Sequence, residues 1–399
     1  MKRVLLISWF FYPKTGGVET LMLNQAKMLA EQGYAVTVLT FWGEGLPATE
    51  RLGGIKVIRR EFLSTREPYP LSKLSVEFGA ILDQASPDIV HFHNGSYPAA
   101  AQDMTIGVDK ILTMLKIIRA RAIPIVEHSH NAQLKNPELT RPLRDFDWDC
   151  VICVSRFVKD RWLELGTGAK WLQVIYNGID LGSYTNVPPA EEFIKLKEGS
   201  GKKIIFFPGR VISMTTGELS KQKNFSLVLD ACCGLVKRGI KNFLLVAISN
   251  HSYANTAAQA TLEMLRKRIH QNGLADYVVF IEPVDPQKMP SYYAGCDIVC
   301  VPSFNETFGL VYLEAMASGK VAIASNTGGP REYISNRENG FVVSPENCEE
   351  LTAVLKKLIN EEYDLNSLRQ QALVSTKKFS IDKFIKKIRA VYKKVEEES

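Results

Sequence analysis

The sequence contains little that would place it among membrane-spanning, secreted or disordered proteins. No apolar run in its 399 residues reaches the roughly 18 that a membrane-spanning helix needs. The stretch MKRVLLISWFF has only a short apolar run, and no small-residue cleavage site follows it, so it does not predict a signal peptide. Repeats and low-complexity segments are also absent. We therefore expect a globular protein of the cytoplasm.

Cysteine and charge exclude two further classes. The seven cysteines are odd in number and lie mostly in apolar runs such as DCVICVS and GCDIVC, which favours buried reduced thiols over disulfide bonds. The formal net charge is +6, but Lys and Arg are scattered, and no stripe of basic and aromatic residues predicts nucleic-acid binding. One basic run, KKFSIDKFIKKIRAVYKK, is typical of a solvated amphipathic helix. A peripheral contact with the inner face of an anionic membrane is the alternative.

Short apolar runs alternate with helical patterns along the chain, in two series. The first series is VLLISWF, AVTVLTF, IKVIRR, DIVHFH, IPIVEH, DCVICVS and LQVIYNG; the second is KIIFFPG, FLLVAIS, YVVFIE, DIVCVPS and VAIASN. The helical segments between them include GGVETLMLNQAKMLAEQG and SLVLDACCGLVKRG. Fully apolar strands that alternate with helices predict parallel sheets covered on both faces.

The fold expected from this pattern is α/β, with two Rossmann-like doubly wound domains facing each other across a cleft. A proline pair in SYTNVPPAEEF separates the two series. We predict a first domain over 1–185, a second over 186–376, and a C-terminal helix over 377–399 that packs back on the first. In such domains ligands bind beyond the carboxyl ends of the strands, so the strand ends are the places to search.

Two strand ends carry groups suited to an anion. Gly16 and Gly17 follow the first strand and open a helix, where backbone N–H groups approach an anion closely, although a plain turn explains a glycine pair equally well. The dinucleotide motif G-x-G-x-x-G is absent there. Arg210 in FPGRV and Lys223 in KQKNF follow the first strand of the second series and would converge on a phosphate group. The alternative for these two cations is a solvated surface position.

The segment PSFNETFGLVYLEAMASG carries the most informative pair of residues. Glu306 and Glu314 flank the start of a predicted helix whose free N–H groups favour a phosphate. That helix start consists of Thr307, Phe308, Gly309 and Leu310. Like charges repel, so the two carboxylates would accept hydrogen bonds from neutral hydroxyls on either side of the phosphate. A molecule with hydroxyls on both sides of a diphosphate is a nucleotide sugar, with Glu314 on the ribose and Glu306 on the transferred sugar.

Four histidines sit at two strand ends, in HFHN (His91 and His93) and EHSHN (His128 and His130). Each H-x-H pair points two imidazoles to one face of its strand. Zinc is one interpretation, but no Cys or Asp nearby completes a tetrahedral set. Polar residues at the mouth of a cleft are the favoured interpretation.

The motifs taken together resemble retaining glycosyltransferase family 4 of the GT-B fold. They are E-x7-E in ETFGLVYLE, GGVE near the N-terminus, YNGID, PGR followed by a lysine, and TGGPRE, in the family's order over nearly the whole chain. The resemblance implies transfer of a sugar from a nucleotide diphosphate with retention of anomeric configuration. It also implies that the nucleotide sugar binds the C-terminal domain and the acceptor binds the N-terminal one.

Matching the motifs position by position implies roles for individual residues. Gly17 would meet the diphosphate, Arg210 and Lys223 its charge, Glu306 the donor sugar and Glu314 the ribose. Two departures from the family pattern occur. Asn224 stands where the family often has Gly, and VISMTTGELSKQ makes the spacing between Arg210 and Lys223 longer than usual.

The resemblance also assigns the histidine side of the site. In the family a His after this strand contacts the donor sugar; His128 is the match, and His130 competes with it because the register is uncertain by two residues. His93, Asn94 and His130 are assigned to the acceptor. The loops FWGEGLPATERLGG and NAQLKNPELTRPLR would also contact it. Three cations of the second loop, Lys135, Arg141 and Arg144, suggest an anionic acceptor or else a merely solvated loop.

No cofactor and no metal are expected. Asp147 and Asp149 in DWD imitate the D-x-D metal site of the other glycosyltransferase fold, but a helix-cap or surface role is favoured for them. Arg210, Lys223 and backbone amides would meet the leaving-group charge instead of Mg²⁺.

The predicted function is therefore a retaining glycosyltransferase. The donor is a nucleotide sugar, a UDP-sugar first and a GDP-sugar second, and the acceptor is a saccharide, a lipid-linked molecule or a small molecule. A nucleotide-sugar epimerase and a non-catalytic nucleotide-sugar-binding protein on the same fold are the alternatives. A phosphorylase of this architecture would need a pyridoxal-bearing Lys, for which the sequence offers no context.

Overall fold

The protein divides into two compact units. The computed structural model describes residues 1–14, 16–43, 45–64, 68–96, 104–132, 137–213, 217–249 and 256–398. The first unit consists of Met1–Gly178 and Phe379–Ser399, and the second of Ile179–Lys378. The boundaries predicted at 185/186 and 376/377 fall close to these divisions.

The first unit is built on a mainly parallel eight-stranded sheet in the order β3-β4-β2-β1-β5-β6-β7-β8. Its strands are β1 (Arg3–Ser8), β2 (Ala35–Phe41), β3 (Thr49–Leu52), β4 (Ile55–Arg60), β5 (Ile89–His93), β6 (Ile125–Ser129), β7 (Cys150–Cys153) and β8 (Leu172–Val174). Only the edge pair β3–β4 is antiparallel among the pairs of this sheet that the structure describes. The sequence did not predict β3, because its residues TERL are polar and half exposed.

The second unit is built on a parallel six-stranded sheet in the order β11-β10-β9-β12-β13-β14. Its strands are β9 (Lys203–Phe207), β10 (Phe243–Ile248), β11 (Val278–Ile281), β12 (Ile298–Val301), β13 (Val321–Ser325) and β14 (Phe341–Val343). The three-residue strand β14 was not predicted, because it is too short to give a distinct apolar run. The other five strands coincide with the predicted apolar runs.

Helices connect the parallel strands in both units, as right-handed crossovers require. They are α1 (Gly17–Glu31), α2 (Leu71–Ala85), α3 (Met104–Arg119), α4 (Arg141–Arg144), α5 (Arg156–Leu165), α6 (Glu191–Lys197), α7 (Phe225–Lys237), α8 (Thr256–Gln271), α9 (Met289–Gly295), α10 (Leu310–Ala317), α11 (Cys348–Ile359), α12 (Leu365–Thr376) and α13 (Ile381–Glu397). The predicted Rossmann-like α/β organisation of both domains is confirmed.

The C-terminal helix α13 belongs to the first unit. Its apolar residues recur at helical spacing and are buried in the same core as residues of α1, β1 and β2; among them are Ile381, Phe384, Ile385, Ile388 and Tyr392. Burial of this stripe is the main stabilising term for an amphipathic helix. Because the core of the first unit occupies the apolar face, only the charged face of α13 is directed to solvent.

Two further observations bear on the sequence predictions. None of the helices in the described ranges is both long enough and apolar enough to cross a bilayer. All seven cysteines carry free thiols, and five of them are buried. The prediction of buried reduced thiols is therefore confirmed for five, whereas Cys233 and Cys348 are only half buried.

Candidate active site

The segment between β12 and α10 places both glutamates of the E-x7-E motif. Helix α10 begins at Leu310, so Thr307 and Phe308, predicted to open it, lie in the preceding loop. Gly309 caps the helix with φ 83°, a left-handed conformation that favours glycine. A Cβ added there would lie 2.5 Å from the ring of Tyr312. The glycine therefore lets the chain turn sharply between the two glutamates.

Glu306 is paired with Lys223. The Nζ of Lys223 lies 2.6 Å from Oε2 of Glu306, with the two side chains 17% and 10% exposed. At this exposure the pair is screened by solvent much less than a surface ion pair. The structure thus brings together two of the predicted site residues across 83 positions of sequence.

Asn224 explains how Lys223 is aimed at Glu306. It precedes α7 with φ 57°, a left-handed conformation that glycine and asparagine tolerate best. Its side-chain amide donates hydrogen bonds to the carbonyl oxygens of Pro302 (3.2 Å) and Pro345 (2.7 Å). Asparagine therefore provides the backbone conformation of glycine and adds two bonds that fix the turn after Lys223.

The glycine pair of TGGPRE holds the backbone of Glu306. The N–H of Gly329 donates to the carbonyl oxygen of Glu306 at 2.8 Å, and Gly328 forms a parallel bridge with Glu306. Gly328 has φ 85°, and an added Cβ would lie 2.0 Å from the same carbonyl oxygen. The carboxyl end of β13 is thus joined to that of β12 at a position where only glycine fits.

The described ends of the insertion between Arg210 and Lys223 pair with each other. Ile212 and Leu219 form an antiparallel bridge, and the N–H of Ser220 donates to the carbonyl oxygen of Val211 at 2.8 Å. The chain consequently returns to the carboxyl end of β9 before α7 begins. Arg210 is exposed and directly precedes Val211, and Ser220 lies three residues before Lys223. The hydrogen bond between Val211 and Ser220 therefore places the segments of Arg210 and Lys223 side by side.

Two tyrosines lie beside Glu314. The hydroxyl of Tyr293 donates to Oε2 of Glu314 at 2.6 Å, and the phenol of Tyr184 interacts electrostatically with the same carboxylate. Desolvation raises the pKa of Glu314, and the two phenols oppose that rise. Neither tyrosine was predicted, because contacts between separate elements leave no periodic signal in the sequence.

The four histidines of β5 and β6 form one buried array in the first unit. Nδ1 of His93 lies 3.0 Å from Nε2 of His130, and Nδ1 of His91 lies 2.6 Å from the hydroxyl of Tyr392 on α13. Both ring nitrogens of His128 lack a hydrogen-bond partner among the described residues. His128 is thus the member of the array whose polar atoms are unused.

Burial keeps these imidazoles neutral. It lowers the pKa of His130 and, together with the charge of His130, that of His91 to about 3. It also lowers the pKa of His93 and of His128 well below the ordinary value. A neutral imidazole offers one donor and one acceptor nitrogen. The array is thus uncharged, and ring nitrogens of His91, His93 and His128 lack a hydrogen-bond partner among the described residues.

The ring orientations bear on the zinc interpretation. His91, His93 and His128 each place one ring nitrogen within 4.8 Å of the others. However, the rings of His91 and His93 are nearly parallel, with an interplanar angle of 16° and centroids 4.7 Å apart. The ring of His128 is inclined by 21° to that of His91. Imidazole lone pairs lie in the ring plane, so those of stacked rings point side by side and do not converge on one ion.

Asn94 and Glu127 fix the loop after β5. The N–H of Asn94 donates to the carbonyl oxygen of His128 at 3.0 Å, and its Oδ1 accepts from the N–H of His130 at 2.9 Å. Glu127 accepts hydrogen bonds from Gly95 and from both the N–H and the hydroxyl of Ser96. Burial raises the pKa of Glu127 to about 8. The sequence analysis treated Glu127 only as a strand residue, whereas it organises the loop beside the histidines.

The glycine pair after β1 leads directly into α1. The helix begins at Gly17, and the carbonyl oxygen of Gly16 accepts the N–H of Thr20 at 3.0 Å. Gly16 is extended, and a Cβ there would meet the Glu19 carboxylate at 2.3 Å. The missing side chain therefore leaves room for Glu19 over the turn.

The DWD pair serves the structure of the first unit. Asp149 is buried and accepts from the N–H of Ile125 (2.8 Å), Nη1 of Arg119 (3.0 Å) and Nζ of Lys170 (2.5 Å). The surface role predicted for Asp149 is therefore wrong, whereas Asp147 is exposed and pairs with Arg119. Two cations already neutralise Asp149, which leaves it unsuited to binding Mg²⁺.

The cations of the segment that ends in α4 differ in their surroundings. Arg144 is buried and donates to the carbonyl oxygens of Pro137 (2.7 Å) and Leu165, so the suggestion that it contacts an acceptor is wrong. Arg141 is exposed and pairs with Asp145 at 3.3 Å. Lys135 lies outside the described residues.

Comparison with known proteins identifies the family. Two Rossmann-like units with acidic, basic and glycine residues at the carboxyl ends of their strands are the architecture of a GT-B glycosyltransferase. The family described as Glycosyl transferases group 1 matches residues 191–375, and the one described as Glycosyltransferase Family 4 matches residues 15–183. The chain belongs to these group 1, family 4 glycosyltransferases.

Curated relatives match over almost the whole chain. An uncharacterized glycosyltransferase of Methanocaldococcus jannaschii is 26% identical over 98% of this chain and 98% of its own length. A D-inositol 3-phosphate glycosyltransferase of Corynebacterium aurimucosum is 24% identical over 92% of this chain and 88% of its own length.

Solved structures share the fold. Sucrose-phosphate synthase from Thermosynechococcus elongatus has a TM-score of 0.81 at 18% identity and full coverage of both chains. HepE from Anabaena, crystallised with UDP-glucose, has a TM-score of 0.75 at 20% identity, covering 98% of this chain and 99% of HepE. The predicted GT-B fold is confirmed.

Proposed function

We propose that this glycosyltransferase is a retaining, metal-independent hexosyltransferase that uses a UDP-sugar, with a GDP-sugar as the next candidate. The observation that carries the proposal is the pair between Lys223 and Glu306, 2.6 Å apart, immediately before the helix that bears Glu314. Lys223, a cation for a phosphate, thus contacts the segment of the second unit that carries two carboxylates for hydroxyls. A nucleotide sugar presents those groups in that order.

The second unit holds the donor. Lys223 and Arg210 neutralise the diphosphate, and the loop and first turn from Thr307 to Leu310 supply backbone N–H groups. Glu306 accepts hydrogen bonds from hydroxyls of the transferred sugar, and Glu314 accepts those of the ribose. Lys223 leaves Glu306 when the diphosphate enters, because the phosphate oxygens compete for the same ammonium group.

The first unit supplies the acceptor side. His128, with both ring nitrogens unpartnered among the described residues, contacts the donor sugar, and Gly16 and Gly17 approach the diphosphate. His93, Asn94 and His130 contact the acceptor. Their neutral state suits a hydroxyl nucleophile, since a neutral imidazole both donates and accepts.

The reaction is a substitution on one face of the sugar. The bond between the anomeric carbon and the phosphate oxygen breaks, and the acceptor oxygen forms a bond to the same carbon from the same face. The acceptor proton passes to the departing phosphate oxygen. Glu306 and His128 stabilise the oxocarbenium-like sugar, while Lys223 and Arg210 stabilise the diphosphate in place of a metal ion.

Two comparisons bear on the identity of the substrates. The HepE structure with UDP-glucose supports a UDP-sugar, and the name of the D-inositol 3-phosphate glycosyltransferase supports an acceptor with a ring hydroxyl. A saccharide, a lipid-linked molecule or a small molecule all present such a hydroxyl. We place the reaction in the cytoplasm, where nucleotide sugars are made.

A thermal-shift panel tests the proposal. Purified protein is heated with UDP, GDP, ADP and the matching nucleotide sugars, with Mg²⁺ or with EDTA. We expect one nucleotide to raise the melting temperature selectively, equally with EDTA, because a ligand bound only by the native state stabilises it. No shift at millimolar ligand contradicts the proposal, and a shift that requires Mg²⁺ contradicts its metal-independent part.

The selected donor is then incubated with candidate acceptors, and the product is examined by NMR. An anomeric configuration equal to that of the donor supports retention, and an inverted product overturns it. Conversion of the donor sugar to its epimer without any acceptor would identify the protein as an epimerase. Binding without turnover for every acceptor class would identify a binding protein.

A further inference from the structure

Two tyrosines that the proposed function does not use converge on Glu314. Tyr293 lies on α9 and is fully buried, and its hydroxyl donates to Oε2 of Glu314 at 2.6 Å. Tyr184 ends the 3-10 turn Leu181–Tyr184, and its phenol interacts electrostatically with the same carboxylate. The two rings lie 6.2 Å apart at an interplanar angle of 58°. Three separate elements thus meet at one carboxylate.

The number of lone pairs limits what Glu314 can bind. An ionised carboxylate only accepts hydrogen bonds and has about four lone-pair sites. The phenol of Tyr293 occupies one of them, and Tyr184 packs beside that phenol. This arrangement orients the carboxylate plane and leaves at least two sites for incoming donors. Two adjacent hydroxyl groups, such as the 2′- and 3′-hydroxyls of a ribose, match two adjacent acceptor sites on one carboxylate.

The phenols also favour the ionised form of the carboxylate. Burial raises the pKa of Glu314, and the phenols of Tyr293 and Tyr184 act in the opposite direction. Tyr333 also interacts electrostatically with Glu314. However, its hydroxyl does not bond to this carboxylate; it donates to the carbonyl oxygens of Phe308 (2.7 Å) and Gly309 (2.9 Å). Tyr184 and Tyr293 are therefore the pair that orients this carboxylate.

We propose that Tyr184 and Tyr293 are positioning residues that aim Glu314 at the ribose diol of the donor and thereby make the site prefer ribonucleotides to 2′-deoxyribonucleotides. The inference rests on the proposed function, in which Glu314 contacts the ribose. It goes further by assigning nucleotide selectivity to two phenols that need not touch the ligand.

Calorimetric titration of UDP and 2′-deoxy-UDP into three variants tests the inference; GDP and 2′-deoxy-GDP replace them if the thermal-shift panel selects GDP. The variants are Tyr293→Phe, Tyr184→Phe and the matched control Tyr292→Phe. Tyr292 lies beside Tyr293 on α9, but its hydroxyl donates to Glu192 at 3.2 Å. The wild type should prefer the ribonucleotide by about tenfold to a hundredfold, the range expected for a hydrogen bond to a charged group.

In Tyr293→Phe and in Tyr184→Phe the affinity for UDP should fall about fivefold to tenfold, whereas the affinity for 2′-deoxy-UDP should change less than twofold. In turnover assays the KM for the donor should rise while kcat stays nearly constant, because the diol contact is made equally in the ground and transition states. The affinity of the variants for UDP should also weaken more steeply than that of the wild type as the pH falls, because loss of a phenol raises the pKa of Glu314 further. Tyr292→Phe should behave as the wild type does.

Specific outcomes overturn the inference. If both nucleotides lose affinity equally in the variants, the tyrosines act only through packing; if the variants bind as the wild type does, they have no role. Either result leaves the proposed function intact. A wild type that binds neither UDP nor GDP overturns the proposed function and the inference with it. Should the buried Tyr293→Phe variant fail to fold, the half-buried Tyr184→Phe variant decides.

Discussion

At the scale of single residues, the pair between Lys223 and Glu306 concentrates the proposed chemistry. Its side chains are 17% and 10% exposed, so neither charge is strongly solvated before substrate arrives. In the proposed mechanism, the pair keeps the two charges compensated until a phosphate replaces Glu306 as the partner of Lys223. Substitutions that remove one charge should therefore impair transfer, and they also leave the other charge without its partner.

Glu306→Gln is expected to lower kcat by about a hundredfold or more, the usual effect of removing one electrostatic contact to the transition state. The shape of the side chain is preserved, so the melting temperature should change little. Steady-state kinetics and differential scanning calorimetry measure both quantities. A variant with near-wild-type turnover would show that Glu306 does not contact the reacting sugar.

Asn224 permits a second test at this scale. Asn224→Gly keeps the left-handed backbone at φ 57° but loses the two amide hydrogen bonds, while Asn224→Ala loses both bonds and adds strain. We expect alanine to reduce the free energy of unfolding by about 1 kcal/mol more than glycine does. Urea titration followed by circular dichroism measures the difference. Equal losses would mean that the bonds to Pro302 and Pro345, and not the backbone conformation, dominate this position.

At the scale of elements, the carboxyl ends of β12 and β13 meet at Gly328. Because the backbone of Glu306 lies where a Cβ of residue 328 would be, an alanine there must displace the loop that carries Glu306. Two adjacent strand ends, and not one loop alone, therefore set the position of the Glu306 carboxylate.

Gly328→Ala should lower kcat/KM by about a hundredfold, since small displacements of catalytic groups have effects of that size. Gly273→Ala is the matched control, because Gly273 also has a positive φ (66°) but has no atom within 4 Å of an added Cβ. The control should lose only about 1 kcal/mol of stability and keep its activity. Equal activity losses in both variants would contradict the close approach described at Gly328.

The elements differ in how well they could be predicted from the sequence. Buried parallel strands read as continuous apolar runs, so the strands of both sheets were predicted apart from β3, which is polar, and β14, which is short. Motif spacing located Glu306 in the loop after β12, Glu314 on α10 and the histidines near the ends of β5 and β6. Pairings across long separations, such as Tyr293 with Glu314 or Asn224 with Pro345, depend on how helices pack and leave no periodic signal in the sequence.

At the scale of the whole molecule, the two units differ in how they should respond to pH. The first unit holds the four neutral histidines and the buried Glu127. Histidines whose folded pKa lies below the unfolded value of about 6.5 stabilise the fold above that pH. This stabilisation is lost as the pH falls toward about 3, the pKa of His91 and His130. At pH 5, each of these two histidines should lower the free energy of unfolding by about 2 kcal/mol.

Glu127 acts in the opposite direction. Its folded pKa of about 8 exceeds the unfolded value. Its contribution to the free energy of unfolding is therefore fully present below about pH 4.3 and is lost as the pH rises toward 8. The stability of the first unit should therefore peak near pH 6.5. Hydrogen exchange of peptides that cover β5 and β6, measured from pH 5 to 8 and corrected for intrinsic exchange, tests this.

His91→Asn should reduce the loss of protection at acid pH, because it removes one of the groups that must bind a proton on unfolding. His270→Asn is the control, since His270 is exposed on α8 of the second unit. Protection that declines equally in both variants would contradict the assignment of the acid sensitivity to the buried array.

The return of α13 to the first unit has a consequence for how the chain is made. Domains generally fold in the order in which they leave the ribosome. Here the first unit lacks part of its core until α13, which follows the second unit, appears. The second unit begins later in the chain but is complete earlier. A nascent chain halted just before Ile381 would carry a finished second unit and a first unit whose apolar core still lacks α13.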